Sequence, residues 1–397
     1  MKKLRIPFSR PSIGLEEIKN VNKVLRSSWI TTGQETKGFE EAFSSYIGSK
    51  CALAVNSCTA ALHLALLASC VHEGDEVITS PYTFVSTAEV IQYCGAQPVF
   101  ADIDAETFNV RPEEIKRQLS SKTKATIPVH IAGHPCEMQS IMEIARRHNL
   151  YVVEDAAHAL ESEILDWELQ NGKVGTRKIG TIADVTAFSF YATKNLTTGE
   201  GGMATTNDEN LATKMRILSL HGLSRDAWRR YSSEGSWAYE VIEQGYKYNM
   251  SDIMAGIGIA QLKKVRKFWK IRNRYAHMYT EGFSEYPELI TPVVRTNIKH
   301  AWHLYILRLK LDKLRITRNE FIEKLKGAGI GTSVHFIPLH LHPYYKKRFG
   351  CKYGDFPVAE RVYESAISLP LYPRMTEEDV KYVIVNACSL VKKYRKW

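Results

Sequence analysis

The chain has 397 residues, 44% hydrophobic and 24% charged, a balance that excludes a disordered, collagen-like or coiled-coil protein. The net charge of +10 suits an anionic ligand, but the basic stretches are interrupted by apolar residues and do not indicate nucleic-acid binding. The seven cysteines lack zinc or disulfide-framework spacing, and neither a signal peptide nor an apolar run of about 18 residues occurs, so we expect a cytoplasmic protein without membrane insertion.

Between about residues 50 and 210, short apolar runs alternate with stretches of helical pattern. Strands are predicted in CALAV, DEVITS, QPVFADI, ATIPVHIAG, LYVVEDA, ADVTAFSF and GGMATT. Helices are predicted from Thr59, after Pro81, at 112–119 and at 141–149. Strands that alternate with helices form a mostly parallel sheet covered on both faces, so we predict a three-layer α/β fold with about seven strands.

A long helical pattern over 252–279, capped by Ser251, predicts the link between a large domain at residues 1–249 and a smaller one at residues 250–397. Beyond the helix, HAWHLYILRLKL and TSVHFIPL have the pattern of strands. ITRNEFIEKLKGAG and TEEDVKYVIVNACSLVKKY have the pattern of amphipathic helices. The second domain is therefore predicted to be α+β.

Two polar side chains, Lys194 and Asp155, follow or end predicted strands. Lys194 enters a loop rich in Gly and Thr after an apolar strand, and Asp155 ends the strand LYVVED. Ligands of open α/β sheets gather at the carboxyl ends of strands, where partial burial lowers the pKa of a lysine enough to make it a nucleophile or base. Each residue alone has a simpler explanation, a surface lysine in a turn or a helix-capping aspartate.

The segment around Thr59 opens an apolar helix directly after the first predicted strand, and the free N–H groups of such a helix start bind phosphate. An ordinary N-cap explains Ser57 or Thr59 equally well. Ser189 is a further candidate phosphate contact and Phe84 a candidate stacking ring, although a core position explains either one. Together with Lys194 and a carboxylate for a pyridine nitrogen, these groups suit pyridoxal phosphate.

Seven motifs occur in an order that is typical of one enzyme family. They are NSCTAALHLAL, PYTFVST, VHIAGHPCEM, VVEDAAHA, FSFYATKNLTTGEGGM, GYKYNMSDI and VHFIPLHLHPYY. The similarity begins with IPFSRPSIG and WITTG and continues to ISLPLYP, so it covers nearly the whole chain. The chain resembles the nucleotide-sugar aminotransferases of the DegT/StrS group.

This resemblance implies the fold type I architecture of aspartate aminotransferase, a homodimer with shared active sites, and pyridoxal 5′-phosphate as cofactor. It implies that Lys194 carries the cofactor as a Schiff base and then moves the proton, while Asp155 holds the pyridine nitrogen. His158 would lie against the ring, where the family often has Gln, and Phe84 would stack on it. The implied phosphate ligands are Thr59, Ala60, Ser189 and, from the other subunit, Asn249. The implied nucleotide-sugar region includes Thr31, Thr32 and His335.

The implied reaction converts the cofactor to pyridoxamine 5′-phosphate with L-glutamate and passes the amino group to a nucleotide-linked keto sugar. The run Ala192-Thr193-Lys194, followed by Gly199-Glu200-Gly201-Gly202, resembles members that aminate C4. Members acting at C3 more often have Pro-Gly-Lys followed by Gly-Asp. A 3-keto-sugar aminotransferase and a cofactor-binding regulatory protein without turnover stay open as alternatives, whereas a dehydratase of this scaffold would lack the lysine.

Two features depart from the family pattern, and other chemistries have little support. Cys58 stands where the family more often has Gly, and the segment 161–180 is longer than the usual connection. The histidines 335, 340 and 342 match no common zinc spacing, so no metal site is predicted. A thiol triad of Cys58, His158 and Asp155 is disfavoured because no hydrolase motif accompanies it.

Overall fold

The structure is a computed structural model that describes residues 5–168, 172–224 and 239–396. The helices are α1 (Leu15–Arg26), α2 (Gln34–Ile47), α3 (Cys58–Ala68), α4 (Val85–Tyr93), α5 (Pro112–Arg117), α6 (Met138–His148), α7 (Glu209–Ser219), α8 (Asp252–Leu262), α9 (Val265–Phe283), α10 (Arg318–Gly327), α11 (Pro343–Phe349), α12 (Pro357–Ser365) and α13 (Glu377–Tyr394). The strands are β1 (Cys51–Val55), β2 (Glu76–Thr79), β3 (Gln97–Phe100), β4 (Thr123–Ile127), β5 (Tyr151–Asp155), β6 (Glu163–Glu168), β7 (Val174–Lys178), β8 (Val185–Ser189), β9 (Gly202–Thr206), β10 (Leu289–Ile290), β11 (Ile298–Lys299), β12 (Tyr305–Leu309) and β13 (Ala366–Leu369).

The main sheet has seven strands in the order β1-β9-β8-β5-β4-β2-β3. The neighbours from β8 to β3 pair in parallel, whereas β9 runs antiparallel to both β1 and β8. The carboxyl ends of six strands therefore meet at one edge, and the amino end of β9 lies there with them. The predicted α/β fold with a mostly parallel seven-stranded sheet is confirmed.

Both faces of this sheet are buried, because neighbouring residues of a strand point to opposite sides. Val152 belongs to a core cluster formed with α2, α6 and α8, and the next residue, Val153, belongs to a cluster formed with α3, α4 and α7. Met203 and Ala204 of β9 divide between the same two clusters. This alternation produces the predicted three layers.

The C-terminal part has its own core around the antiparallel sheet β10-β12-β13, packed against α9, α10 and α13. Ile6 also lies in this core. The helix predicted over 252–279 is divided into α8, which packs on α1 and α2, and α9, which packs on α13. The helix is interrupted at residues 263–264 because its two halves pack against different parts of the structure. The domain division at residues 249/250 stays a proposal.

The structure differs from two predictions about local structure. The segment 161–180 contains β6 and β7, which pair with each other and with β11, instead of forming only a longer loop. The segment 332–339 was predicted to be a strand, but it makes a single isolated bridge, between Ser333 and Ser368. The backbone oxygen of His335 instead accepts a hydrogen bond from the Tyr82 hydroxyl. No helix of the described residues has the length and apolar character needed to cross a bilayer.

Candidate active site

The carboxyl edge of the main sheet brings together Lys194 and Asp155, as the sequence predicts. Asp155 is the last residue of β5, and Lys194 lies in the loop between β8 and β9, which neighbour each other in the sheet. This loop is held by a bridge between Tyr191 and Gly199 and by a 2.9 Å bond from the Lys194 N–H to the Tyr191 oxygen. The lysine backbone is therefore fixed.

The environment of Lys194 makes its amine more reactive than a free lysine. Burial lowers the pKa of Lys194 from 10.5 to about 8, although the nearby Cys58 and Asp155 act in the opposite direction. A larger fraction of the amine is then neutral near physiological pH, and the neutral form is the nucleophile and base.

The Asp155 carboxyl group is buried, with 4% of its residue surface exposed. One oxygen accepts a bond from the Thr87 hydroxyl at 2.8 Å, and the other accepts one from the Ala157 N–H at 3.1 Å. Burial raises the pKa of Asp155, while these two hydrogen bonds and the Lys194 charge oppose the rise. Each oxygen retains acceptor capacity, so Asp155 can also accept a protonated ring nitrogen.

The start of α3, the candidate phosphate-binding site, lies at the same edge. The Ser57 hydroxyl caps the helix by accepting the Ala60 N–H at 3.1 Å, which leaves the first helical N–H groups available. Gly202 pairs with Ser189 and faces this helix start. A Cβ atom on Gly202 would lie only 2.5 Å from the Ser57 carbonyl, so the close approach requires glycine.

Aromatic rings form one wall of the site. Phe84, at the start of α4, is 58% exposed, and its ring centre lies 6.2 Å from that of Phe336. Phe336 is stacked on His158 at 5.9 Å. The N–H of Ala132 donates to His158 Nδ1 at 3.3 Å, and burial, reinforced by the Lys194 charge, holds the pKa of His158 well below its usual range. His158 is therefore neutral.

The three residues predicted to bind the nucleotide sugar lie in two places. Thr31 and Thr32 lie beside Asn249, a predicted phosphate ligand, and His335 lies elsewhere. The Asn249 amide donates to the Thr32 hydroxyl at 2.6 Å, and the Thr31 oxygen accepts the N–H of Asp252. Asn249 also bridges to Val55 at the end of β1. Among the described residues, no hydrogen bond connects this group to Lys194 or Asp155. The structure thus places Thr31, Thr32 and Asn249 together.

His335 lies apart from these residues. Its Nδ1 is 2.8 Å from the Ser368 hydroxyl, and its ring stacks on Phe8 at 5.5 Å between centres. Burial, with the Lys194 charge, lowers the pKa of His335 to about 4. The imidazole is therefore neutral, and the Ser368 hydroxyl and the Phe8 ring hold it on two sides.

Three residues of this site were not singled out in the sequence. Thr87 lies in the motif PYTFVST and Phe336 in the motif VHFIPLHLHPYY, directly after His335. Membership in these motifs could have identified both as site residues. His303 packs on His158 with 4.3 Å between ring centres. No sequence signal distinguishes His303 from His300, the other histidine of the run HAWHLYILRLKL.

A lysine, a carboxylate and a helix start lie together at the carboxyl edge of the main sheet. In this fold, such a combination is typical of pyridoxal-phosphate enzymes. The chain matches the DegT/DnrJ/EryC1/StrS aminotransferase family over residues 11–387 and belongs to this family. The family predicted from the motifs is thereby confirmed.

The relatives agree with this assignment along the whole chain. An uncharacterized protein of Methanocaldococcus jannaschii is 58% identical over 390 residues, which cover 98% of each chain. The spore coat polysaccharide biosynthesis protein SpsC of Bacillus subtilis is 51% identical over 388 residues, 98% of this chain and 97% of SpsC. The structure of Spr1654 from Streptococcus pneumoniae, assigned as a sugar aminotransferase and solved in its PMP form, has a TM-score of 0.90 at 34% identity, with 98% of this chain and 100% of that one covered.

The residues present fit pyridoxal 5′-phosphate. Within the described residues the first N–H groups of α3 have no hydrogen-bond partner and can bind a phosphate, Asp155 has free acceptor capacity, and the exposed ring of Phe84 offers a stacking surface. When bound, this cofactor supplies an electron sink for chemistry at the amino carbon. The described residues contain no cluster of three or more His, Cys, Asp or Glu side chains suited to a metal ion.

Proposed function

We propose that the protein transfers an amino group from L-glutamate to the keto carbon, at C4, of a nucleotide-linked keto-deoxysugar. The observation that carries this proposal is Lys194, whose pKa burial lowers to about 8, at the same sheet edge as the buried carboxyl group of Asp155. An amine that gains and loses a proton near neutral pH suits the proton transfers of transamination. Held by these residues, pyridoxal 5′-phosphate would supply the carrier of the amino group, in its pyridoxamine form, between the two substrates.

We propose one role for each predicted site residue. Lys194 binds the cofactor covalently and carries the proton, and Asp155 accepts the ring N–H. Phe84 and His158 lie against the two faces of the ring. Thr59 and Ser189 would bind the phosphate, with Asn249 from a second subunit. Ala60, also predicted there, would contribute only by sharing the N–H that donates to the Ser57 hydroxyl at 3.1 Å.

The nucleotide sugar enters between Thr31, Thr32 and His335 in this proposal. A net charge of +10 favours a substrate that carries a diphosphate. The choice of C4 rests on the resemblance of Ala192-Thr193-Lys194 and the following Gly199-Glu200 to C4-specific members. The name of the Bacillus subtilis relative, a spore coat polysaccharide biosynthesis protein, supports a role in surface polysaccharide biosynthesis. Lipopolysaccharide with its O-antigen, and other amino-sugar products, are further candidates that this name does not specify.

A cytoplasmic homodimer with shared active sites completes the proposal. Within the described residues, Asn249 forms no hydrogen bond with Lys194 or Asp155 of its own chain. This leaves it available for the active site of a second subunit. Ile13 and Ile18 are exposed and line an apolar pocket together with Ala192 and Gly199 of the lysine loop. A second copy of the chain would cover these residues.

The test begins with the absorbance spectrum of the purified holoenzyme before and after L-glutamate. We expect glutamate to convert the cofactor to its amino form, and one member of a panel of nucleotide-linked 4-keto and 3-keto sugars to restore the original spectrum. Restoration by a 3-keto sugar alone would contradict the C4 assignment. No spectral change with glutamate, in protein saturated with cofactor, would favour the regulatory alternative.

A further inference from the structure

His303 lies directly beside the lysine loop, although it belongs to the segment before β12. It is 5% exposed, and its Nδ1 is 3.3 Å from Oδ1 of Asn195, the residue that follows Lys194. Asn195 is itself buried. A hydrogen bond therefore connects the side chain of the residue after Lys194 to the imidazole of His303.

The hydrogen bonds of Asn195 fix which of its amide atoms faces His303. The Asn195 amide nitrogen donates to the backbone oxygens of Leu160 at 3.3 Å and Ala301 at 3.0 Å. Only the nitrogen of an amide can donate, so the remaining atom, Oδ1, is an acceptor. The Nδ1 atom of His303 must then carry the proton of this bond.

A proton on Nδ1 determines the chemistry of the other ring nitrogen. Burial, reinforced by the charges of Lys194 and Arg272, holds the pKa of His303 well below its usual range, so the ring is neutral. A neutral imidazole with its proton on Nδ1 has a lone pair on Nε2. Within the described part of the chain, no residue hydrogen-bonds Nε2 of His303.

The imidazole is held rigidly in this orientation. The His303 N–H donates to the Ala132 oxygen at 2.9 Å, and the guanidinium of the buried Arg272 donates to the His303 oxygen at 3.2 Å. The ring packs on that of His158, whose Nδ1 accepts the Ala132 N–H. Both rings are neutral, and because Nδ1 of His158 is an acceptor while Nδ1 of His303 is a donor, the proton is on Nε2 of His158 and the lone pair on Nε2 of His303.

We propose that His303 is a substrate-binding residue whose Nε2 accepts a hydrogen bond from a hydroxyl group of the sugar, and that Asn195 sets the tautomer this requires. The inference rests on the proposed function and deepens it. A sugar offers neutral hydroxyl donors. Ionised glutamate has only its reacting amino group to donate, because its carboxylates carry no proton.

The experiment compares holoenzymes with His303, His303→Phe and His303→Gln. The phenylalanine retains a ring to pack on His158 but has no acceptor, whereas the glutamine retains an acceptor oxygen. We expect His303→Phe to raise KM for the keto sugar about five- to tenfold, the effect of losing one neutral hydrogen bond. The rise in KM for the keto sugar should exceed any change in KM for glutamate, and His303→Gln should recover most of the sugar affinity.

Wild-type turnover with the sugar panel is measured first, because absence of turnover would overturn the proposed function and this inference together. Turnover with an unchanged KM in His303→Phe would overturn the inference alone. A parallel loss in the glutamate and sugar half-reactions would also overturn it, since that pattern indicates only a structural role. If His303→Phe does not fold, singly deoxygenated keto sugars are tested on wild type, and equal KM values for all of them would refute the hydrogen bond.

Discussion

Replacement of Gly202 by alanine is expected to weaken cofactor binding by displacing the start of α3. Gly202 begins β9, where the backbone is extended and accepts alanine, so space and not conformation is the obstacle. The added Cβ would lie 2.5 Å from the carbonyl carbon and oxygen of Ser57 and 2.6 Å from the nitrogen of Cys58. All three are backbone atoms, which cannot rotate away.

The distance that must be gained gives the size of the effect. Ordinary van der Waals contact begins near 3.4 Å, so the helix start must move by 3.4 − 2.5, or about 0.9 Å. A hydrogen bond of about 2.9 Å from a helical N–H to the phosphate then stretches beyond its working range. Loss of one such bond to a charged group costs about 1.5–3 kcal/mol, which is about a tenfold to hundredfold loss of affinity.

The measurement is a fluorescence titration of cofactor-free protein with pyridoxal phosphate and with pyridoxal, which lacks the phosphate. Gly202→Ala should lose affinity for the phosphorylated compound only. Gly38→Ala is the matched control, because its Cβ would meet nothing within 4 Å and it lies inside α2. Wild-type affinity of Gly202→Ala for pyridoxal phosphate, or an equal loss for both compounds, would refute the reasoning.

Three further predictions concern the groups at the sheet edge. Lys194→Ala should abolish turnover and covalent attachment of the cofactor after borohydride reduction but retain noncovalent binding, and unchanged activity would exclude the proposed role. Asp155→Asn should slow the glutamate half-reaction about a hundredfold or more in stopped-flow absorbance while changing cofactor affinity much less, because the ring loses its carboxylate partner. Since the neutral amine attacks and the pKa of Lys194 is lowered to about 8, the rate of cofactor capture by the cofactor-free protein should rise about tenfold per pH unit below pH 8 and level off above it. A plateau reached only above pH 10 would show an unperturbed lysine.

Much of the candidate site could be predicted from the sequence because its signals are local. Asp155 and Lys194 each follow an apolar strand, and the strand-helix-strand order alone directs such residues to one sheet edge. The alternation of Val152 and Val153 between two buried faces follows from the same pattern. The anion-binding start of α3 required only a strand followed by a capped helix.

Other features depended on contacts between distant segments. The strand-like pattern of 332–339 does not form a strand, because Tyr82 and Ser368 provide hydrogen-bond partners that no local pattern contains. Likewise the single helix predicted over 252–279 is interrupted because its two halves pack on different cores.

The sequence by itself thus determined the family, the main sheet and the residues at its edge, since periodicity and motif order are properties of neighbouring residues. Only the tertiary structure decided the antiparallel placement of β9, the pairing of Thr32 with Asn249 and the tautomer of His303. Each of these depends on groups far apart in the chain, and a hydrogen bond between such groups exists only after the packing of the whole fold has brought donor and acceptor within about 3 Å.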